Sequence, residues 1–269
     1  VYPLLIVVLV LSAMDPEETM SREHTQSSVV AVATYTWNWH LQSSALIARP
    51  DFGHLWYTSV YLQVTVFLVI LIWLLRRRRL VLVSVLVGLI IACTLWRHHL
   101  SVTEDGLVPL VRTTTRMDGM LWGALLALAW PWLHQLRRHG ATLSGWALLS
   151  MLGLVLTVGN SSSYLGWAGI AANLAVVLFI LGSPSVRPGA LRRLLTLGPL
   201  VWLGRHSLSL YVWHYPVFFF TSRHIGDAPG LVKGLVAGVL IVSLATLTTR
   251  YVEQPVAARI ATAFSKSNG

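Results

Sequence analysis

The sequence predicts an all-α fold, a polytopic integral membrane helix bundle. Hydrophobic residues make up 55% of the 269 residues and charged residues only 11%, which is far more apolar than an ordinary soluble domain. Several apolar runs reach or approach the roughly 20 residues that a helix needs to cross a bilayer. Charged residues collect between these runs. We therefore expect about eight transmembrane helices in this chain.

Hydropathy places the eight spans in order along the chain. The first, at 1–14, is short and begins at the first residue. The others lie at 54–75, 80–97, 115–136, 144–160, 164–182, 198–221 and 230–250. The sequence shows no internal repeat or low-complexity linker, so 1–269 is predicted to be a single membrane domain. Segment 15–53 mixes aromatic and polar residues, and we predict an extracytoplasmic loop that is interfacial or re-entrant.

The charge pattern predicts an orientation rather than a nucleic-acid partner. The net charge is +10, but the basic residues form short clusters between apolar spans, as at Arg76–Arg79. Such clusters are typical of cytoplasmic loops and of contacts with anionic lipid. The predicted partner is therefore the lipid bilayer of the plasma (inner) membrane, with a cytoplasmic carboxy terminus and no nucleic acid. Arginine far outnumbers lysine, which suggests a GC-rich bacterial genome.

Three polar stretches lie within or beside the apolar spans, where polar groups usually face a bundle interior or a wet cavity. The first forms one predicted helical stripe, at spacings of four, three and four, of His54, Thr58, Tyr61 and Thr65. Ser59 and Gln63 form a neighbouring pair. The alternative is an interfacial histidine and tryptophan together with hydrogen bonds between helices.

The second stretch, "TTTRMDGMLWGALLAL", carries Arg116 and Asp118. Residues two apart do not share a helical face, so we expect these two side chains to contact different neighbours. Gly119 and Gly123 form a small-xxx-small pattern that permits close helix packing. A charge pair at the membrane interface and a substrate or donor contact at a cavity mouth both fit this stretch.

The third stretch, "LGRHSLSLYVWHYPVFFF", places Ser207, Tyr211 and His214 on one helical face, with Pro216 close behind. A neutral histidine there is able to accept or donate a proton, and Tyr211 is able to orient a bound group. A structural histidine bonded to another helix is the alternative. The sequence contains no H-E-x-x-H and a single cysteine, Cys93, so no metal cofactor is predicted.

These stretches, with "FGHLWYTSVYLQ" at 52–63 and "RYVEQPV" at 250–256, resemble the membrane acyltransferase family 3 in order and spacing. The resemblance covers nearly the whole chain. It implies a complete fold of about ten helices. It also implies transfer of an acyl group, usually acetyl, from cytoplasmic acyl-coenzyme A to a hydroxyl of an extracytoplasmic carbohydrate or glycosylated product in the cell envelope.

The resemblance also suggests which residues carry the reaction. The candidate catalytic residues are His54, Asp118 and His214. The candidate substrate-binding residues are Trp56, Tyr61, Arg116, Ser207, Tyr211 and Trp213. Acyl-coenzyme A is the expected donor, although no residue is assigned to bind it.

Two departures from the family pattern leave other functions open. Family members commonly have acidic residues where this chain has Tyr61 and Leu62. Nothing matches the family's first helix, to which the resemblance assigns the main catalytic base, or the arginine-containing motif after its second helix, so we expect this chain to be inactive by itself. A transporter of a small polar or lipid-linked solute and a non-catalytic membrane partner derived from the same fold are the alternatives.

Overall fold

The computed structural model describes residues 1–15, 20–104, 107–133, 135–159, 164–186, 188–226 and 228–267. Every regular element within these ranges is helical, which confirms the predicted all-α class. The longer helices are α1 (Tyr2–Met14), α2 (Arg22–Ala33), α3 (Trp37–Ser44), α4 (Trp56–Leu75) and α5 (Arg79–Thr103). Two short helices, α6 (Val108–Val111) and α7 (Thr113–Arg116), precede α8 (Asp118–Ala129). The remaining α-helices are α9 (Gly140–Thr157), α10 (Gly169–Gly182), α11 (Ala190–Leu195), α12 (Gly198–His224), α13 (Gly230–Thr248) and α14 (Gln254–Ser267).

Short 3₁₀ and π segments connect several of these helices. A 3₁₀ turn at Pro50–Leu55 leads directly into α4, and a π segment at Thr249–Glu253 joins α13 to α14. Local sequence signals explain some helix starts. Ser21 caps α2 by accepting a hydrogen bond from the His24 backbone N–H at 3.1 Å. Proline occupies the first turn of α1 and of α12, where its missing N–H costs nothing.

The protein is an integral membrane protein. Among the described residues, five helical stretches are long and apolar enough to cross a bilayer: Pro50–Leu75, Arg79–Thr103, Gly140–Thr157, Leu165–Ser185 and Gly230–Ala263. The predicted number of about eight is not confirmed. The expected span at 115–136 gives α8, which ends at Ala129 before a 3₁₀ turn at Trp130–Trp132. Pro131 in this turn lacks the N–H that a continuing helix would use.

The helices form two compact units. Unit 1 contains Val1–Thr34, Ile47–Leu55 and Leu197–Gly269, and unit 2 contains Tyr35–Leu46 and Trp56–Thr196. The segment predicted as an extracytoplasmic loop, 15–53, contributes α2 to unit 1 and α3 to unit 2. Each unit has its own buried polar contacts, which we describe separately.

In unit 1, a buried ion pair holds the approach to the Pro50–Leu55 turn. The Arg49 guanidinium donates to both carboxylate oxygens of Asp51, at 3.0 and 3.1 Å. It also donates to Ser12 Oγ in α1 at 2.7 Å and to Thr25 Oγ1 in α2 at 3.1 Å. A buried guanidinium is tolerated when its donors are satisfied in this way. The pair thus ties α1 and α2 to the turn.

In unit 2, the apolar core lies between α4, α5 and α8. Its buried members are Val60, Val64, Leu68, Leu82, Leu86, Ile90 and Leu121. The i, i+4 spacing within α4 and within α5 places each set on one helical face, as packing between helices requires. Ser59 also lies on the buried side of α4, whereas Tyr61 is 55% exposed. The face of α4 that packs in the core is therefore the one with the aliphatic residues and the pair Ser59 and Gln63. It is not the predicted stripe that contains Tyr61.

A closed set of hydrogen bonds joins α3, α4 and α7 in unit 2. Gln63 Nε2 donates to Asn38 Oδ1 at 2.9 Å, and Gln63 Oε1 accepts from Thr113 Oγ1 at 2.5 Å. Asn38 Nδ2 in turn donates to Thr113 Oγ1 at 2.9 Å. Gln63 Nε2 also donates to the Tyr35 carbonyl at 2.8 Å. Asn38 is fully buried, and these bonds offset the cost of burying its amide.

Close helix packing occurs at two glycines that the sequence analysis did not select. A Cβ placed on Gly182 of α10 would lie 2.7 Å from the Gly140 carbonyl oxygen and 2.7 Å from Ser144 Oγ of α9. By contrast, a Cβ on Gly123 would meet nothing within 4 Å, and one on Gly119 would meet Asn173 Oδ1 at 3.3 Å. The small-xxx-small pattern therefore marks one close contact, at Gly119, while the tightest approach joins α9 and α10.

We expect Gly182→Ala to destabilise the protein, because the new methyl group must push α9 and α10 apart. Overpacking of this kind costs about 1–3 kcal/mol. The matched control is Gly145→Ala in α9, where a Cβ meets nothing within 4 Å and the better helix propensity of alanine is retained. Thermal unfolding of the detergent-solubilised protein measures both changes. Equal melting temperatures for the two variants would contradict the close approach.

Candidate active site

The centre of the candidate site, in unit 1, is a proline inside helix α12. Pro216 has no backbone N–H, so it offers no hydrogen bond to the carbonyl of Val212 four residues earlier. His54, in the Pro50–Leu55 turn of the same unit, contacts this carbonyl instead, with Nε2 3.1 Å from the Val212 oxygen. A carbonyl oxygen only accepts hydrogen bonds, so Nε2 of His54 carries the proton and Nδ1 carries the lone pair.

Nδ1 of His54 is buried and has no hydrogen-bond partner among the residues that the structure describes. An unsatisfied buried acceptor costs about 1–3 kcal/mol relative to one that is paired. This nitrogen is therefore an acceptor for which the described residues supply no donor.

His214 has the opposite arrangement of its ring nitrogens. Its Nδ1 lies 2.7 Å from the carbonyl oxygen of Tyr211, one turn earlier on α12. The proton of the neutral ring is therefore on Nδ1, and Nε2 carries the lone pair. The two imidazole centroids are 5.1 Å apart and nearly perpendicular. Two histidines thus lie side by side, each with one nitrogen bonded to α12, and in the neutral form each has a second nitrogen able to accept a proton.

Two tyrosines of α12 complete the cluster. The Tyr211 hydroxyl donates to the backbone carbonyl of His54, which fixes the turn against the helix. The Tyr215 ring stacks on His54 with centroids 5.4 Å apart and an interplanar angle of 29°. Tyr215 is 41% exposed, so it covers one face of the imidazole while part of its own ring remains accessible. Tyr211 was predicted from helical spacing, whereas Tyr215 was not.

The other residues predicted on α12 lie elsewhere. Ser207 is exposed, and the buried serine is Ser209, which donates to Glu253 at 2.7 Å. Thr249 Oγ1 donates to the other Glu253 oxygen at 3.1 Å. Trp213 is buried, and its Nε1 donates to Thr248 Oγ1 of α13 at 2.8 Å. In this structure Trp213 joins two helices, so its predicted role in substrate binding receives no support.

Asp118 lies in unit 2, in a buried ion pair that the sequence did not reveal. Its Oδ2 accepts from Arg97 Nη1 of α5 at 2.5 Å and from Asn173 Nδ2 of α10 at 2.7 Å. Arg97 Nε donates to the Leu165 carbonyl at 2.8 Å. The sequence contains one signal for this ion pair: Arg97 lies within an apolar run, where a charged side chain usually has a partner.

Arg116 and Trp56 contact each other in unit 2, with the guanidinium carbon 5.2 Å from the centre of the indole ring. This is the geometry of a cation–π interaction. As expected, Arg116 and Asp118 contact different neighbours. Tyr61 remains a predicted substrate contact whose ring is more than half exposed. The structure thus brings His54, Tyr211 and His214 together in unit 1, and Arg116 and Trp56 together in unit 2.

Across the described part of the chain, no group of three or more His, Cys, Asp and Glu side chains is placed to hold a metal ion. The histidine cluster itself offers imidazole nitrogens, with His54 Nε2 against the Val212 carbonyl and His214 Nδ1 against the Tyr211 carbonyl. A neutral imidazole with a free lone pair is suited to removing a proton from a weak acid such as a hydroxyl.

Comparison with known proteins gives consistent relatives. The O-acetyltransferase OatA of Staphylococcus aureus is 25% identical over 248 residues, which cover 84% of this chain and 40% of that protein. The peptidoglycan O-acetyltransferase OatA of Listeria monocytogenes is 24% identical over 276 residues, covering 95% of this chain and 44% of that protein. The chain thus spans about two fifths of the length of these curated relatives. No solved structure matches it.

A family model described as an acyltransferase domain matches residues 20–250. This match contains His54, Asp118 and His214, together with every predicted substrate-binding residue. It confirms the resemblance on which the sequence analysis relied. The chain belongs to the membrane acyltransferase family 3.

Proposed function

We propose that this protein transfers an acyl group, most simply acetyl, to a hydroxyl of an extracytoplasmic carbohydrate. The family membership and the names of the relatives support acyl transfer, and two relatives are named as O-acetyltransferases, one of them of peptidoglycan. A carbohydrate polymer of the cell envelope is therefore the acceptor to test first. The observation that carries the proposal is the His54 and His214 pair, which presents two proton acceptors side by side.

In the proposed step, which departs from the expectation that the main base lies on the family's first helix, His214 Nε2 removes the proton from the acceptor hydroxyl as its oxygen attacks the acyl carbonyl carbon. A tetrahedral oxyanion forms and then collapses, so that the carbon–oxygen ester bond replaces the bond to the leaving group. The protonated His214 returns its proton to the departing group, which restores the neutral ring. His214 is preferred to His54 for this role because its free nitrogen is not among the buried, unpartnered atoms of the described residues.

For the donor, we propose acyl-coenzyme A supplied from the cytoplasm, with the thiolate as the leaving group that takes the proton. The cluster Arg76–Arg79 runs from the end of α4 to the first residue of α5 and is exposed, and arginine suits the phosphates of coenzyme A. In the same topology, the carboxy terminus is cytoplasmic and the protein lies in the plasma membrane. The remaining predicted contacts, Trp56 and Arg116, are proposed to bind the acceptor or the donor.

We expect His214→Ala to abolish acyl transfer, with a rate loss of about 10²–10⁴-fold, the usual contribution of a general base. The assay follows label from acetyl-coenzyme A into envelope carbohydrate, using membranes that contain the full-length protein. The matched control is His206→Ala, because His206 lies on the same helix and also bonds a backbone carbonyl, that of Trp202, through Nδ1 at 2.9 Å.

If His214→Ala keeps activity within tenfold of wild type at equal protein level, the base assignment is wrong. If the wild type transfers no label to any carbohydrate pool, acyl transfer itself loses its support. A transporter or a non-catalytic partner would then be the better reading of the same fold.

For Asp118, we propose a structural role in place of the predicted catalytic one, because Arg97 and Asn173 already occupy its Oδ2. Asp118→Ala leaves a buried guanidinium without its partner, which costs about 3–5 kcal/mol. We therefore expect a lower melting temperature and less protein in the membrane. Glu104→Ala is the control, since an exposed carboxylate contributes within about 0.5 kcal/mol.

A double variant separates the two roles of Asp118. Replacing Arg97 and Asp118 together by leucine removes both charges, and such replacements of a buried pair are often neutral or stabilising. We expect the melting temperature to recover and acyl transfer to return to within about tenfold of wild type. A stable double variant without activity would show that the carboxylate takes part in catalysis.

A further inference from the structure

Pro216 has an effect on His54 that its position in the helix alone does not reveal. In an uninterrupted α-helix, the N–H of residue 216 would donate to the carbonyl of Val212. Proline cannot make this bond, and its ring also displaces the carbonyl four residues earlier. In an apolar environment a carbonyl without a donor is costly, so the Val212 oxygen requires a partner from outside the helix. His54 Nε2, 3.1 Å away, is that partner.

This hydrogen bond selects one tautomer of His54. With Nε2 committed as a donor to Val212, the ring cannot carry its single proton on Nδ1 and keep the bond. If the bond to Val212 is lost, either tautomer is free to form, and the Nδ1–H form has no acceptor to offer a hydroxyl at that nitrogen. The bond from the Tyr211 hydroxyl to the His54 carbonyl holds the backbone but leaves the choice of tautomer open.

We propose that Pro216 is a positioning residue: it leaves the Val212 carbonyl open to His54 Nε2 and so keeps His54 Nδ1 as the acceptor for a hydroxyl of the carbohydrate. The inference rests on the proposed function and deepens it, because it names the atom that receives the acceptor. The buried, unpartnered state of Nδ1 supports it. A bound hydroxyl supplies the missing donor, and His214, 5.1 Å away between ring centroids, removes the proton of the reacting hydroxyl.

The test compares Pro216→Ala with a proline on the same helix. Alanine at 216 restores an N–H that competes with His54 for the Val212 carbonyl. We expect kcat to fall about 100-fold, as misplacement of a catalytic group commonly causes, with KM little changed. Pro199→Ala is the matched control, because Pro199 stands in the first turn of α12, where the N–H has no helical partner. We expect it to leave both constants unchanged.

The second measurement reads the tautomer directly and does not depend on activity. Solid-state NMR of membranes with ¹⁵N- and ¹³C-labelled histidine distinguishes Nε2–H from Nδ1–H rings, and His54→Gln identifies the His54 signals by their loss. We expect only the Nε2–H form in wild type and in Pro199→Ala, and a mixture of the two tautomers in Pro216→Ala. An unchanged Nε2–H signal in Pro216→Ala would overturn the proposal, even if the variant is folded and slow.

A double-mutant cycle shows whether Pro216 acts through His54. Glutamine at 54 keeps an N–H₂ for the Val212 carbonyl but replaces the Nδ1 acceptor of the ring with an amide oxygen in a different position, so we expect a folded protein with reduced activity. If the two residues act together, adding Pro216→Ala to His54→Gln causes no further loss. A full additional loss would mean that Pro216 acts independently. Should wild type transfer no acyl group at all, the NMR experiment still decides whether Pro216 sets the tautomer.

Discussion

The candidate site depends on one backbone oxygen. The carbonyl of Val212 is deprived of its helical donor by Pro216, and because Val212 is buried its oxygen needs a partner from outside the helix. The side chain that satisfies it comes from a turn more than 150 residues earlier in the chain, and the distance is an ordinary 3.1 Å hydrogen bond. The missing N–H leaves this oxygen open to His54, which together with the Tyr211 hydroxyl holds the Pro50–Leu55 turn against α12 in unit 1.

Buried polar groups elsewhere in the chain have a different character. Gln63, Asn38 and Thr113 satisfy one another in a closed set of hydrogen bonds, and Asp118 is occupied by Arg97 and Asn173. Sets of this kind stabilise a fold, but they leave few hydrogen-bonding groups free to bind a ligand. The histidine pair differs because each ring keeps one nitrogen available as an acceptor. The candidate site is therefore distinguished from the structural polar clusters by its available acceptor nitrogens rather than by charge.

The sequence predicted the helical class, and spacing on α12 together with the family motifs predicted Tyr211 and His214. The same spacing selected Ser207, although Ser209 is buried, because the partner that decides between them, Glu253, lies 44 residues away. Arg97 was missed for a similar reason, since only the packing of α5 against α8 reveals Asp118 as its partner. Local periodicity predicts which residues share a face of a helix. It does not predict which face packs, as exposed Tyr61 shows.

The two histidines are anchored to carbonyls of consecutive residues, Tyr211 and Val212. Successive residues of an α-helix are rotated by about 100° around its axis, so the two anchors point in different directions from one short stretch of backbone. Their rings nevertheless meet at 5.1 Å, because His54 approaches from the turn while His214 folds back along its own helix. A small rotation of α12 at this point would move both anchors at once. The relative position of the two proton acceptors is therefore set by the backbone at 211–216, and the proline in that stretch is part of the site even though it has no reactive group.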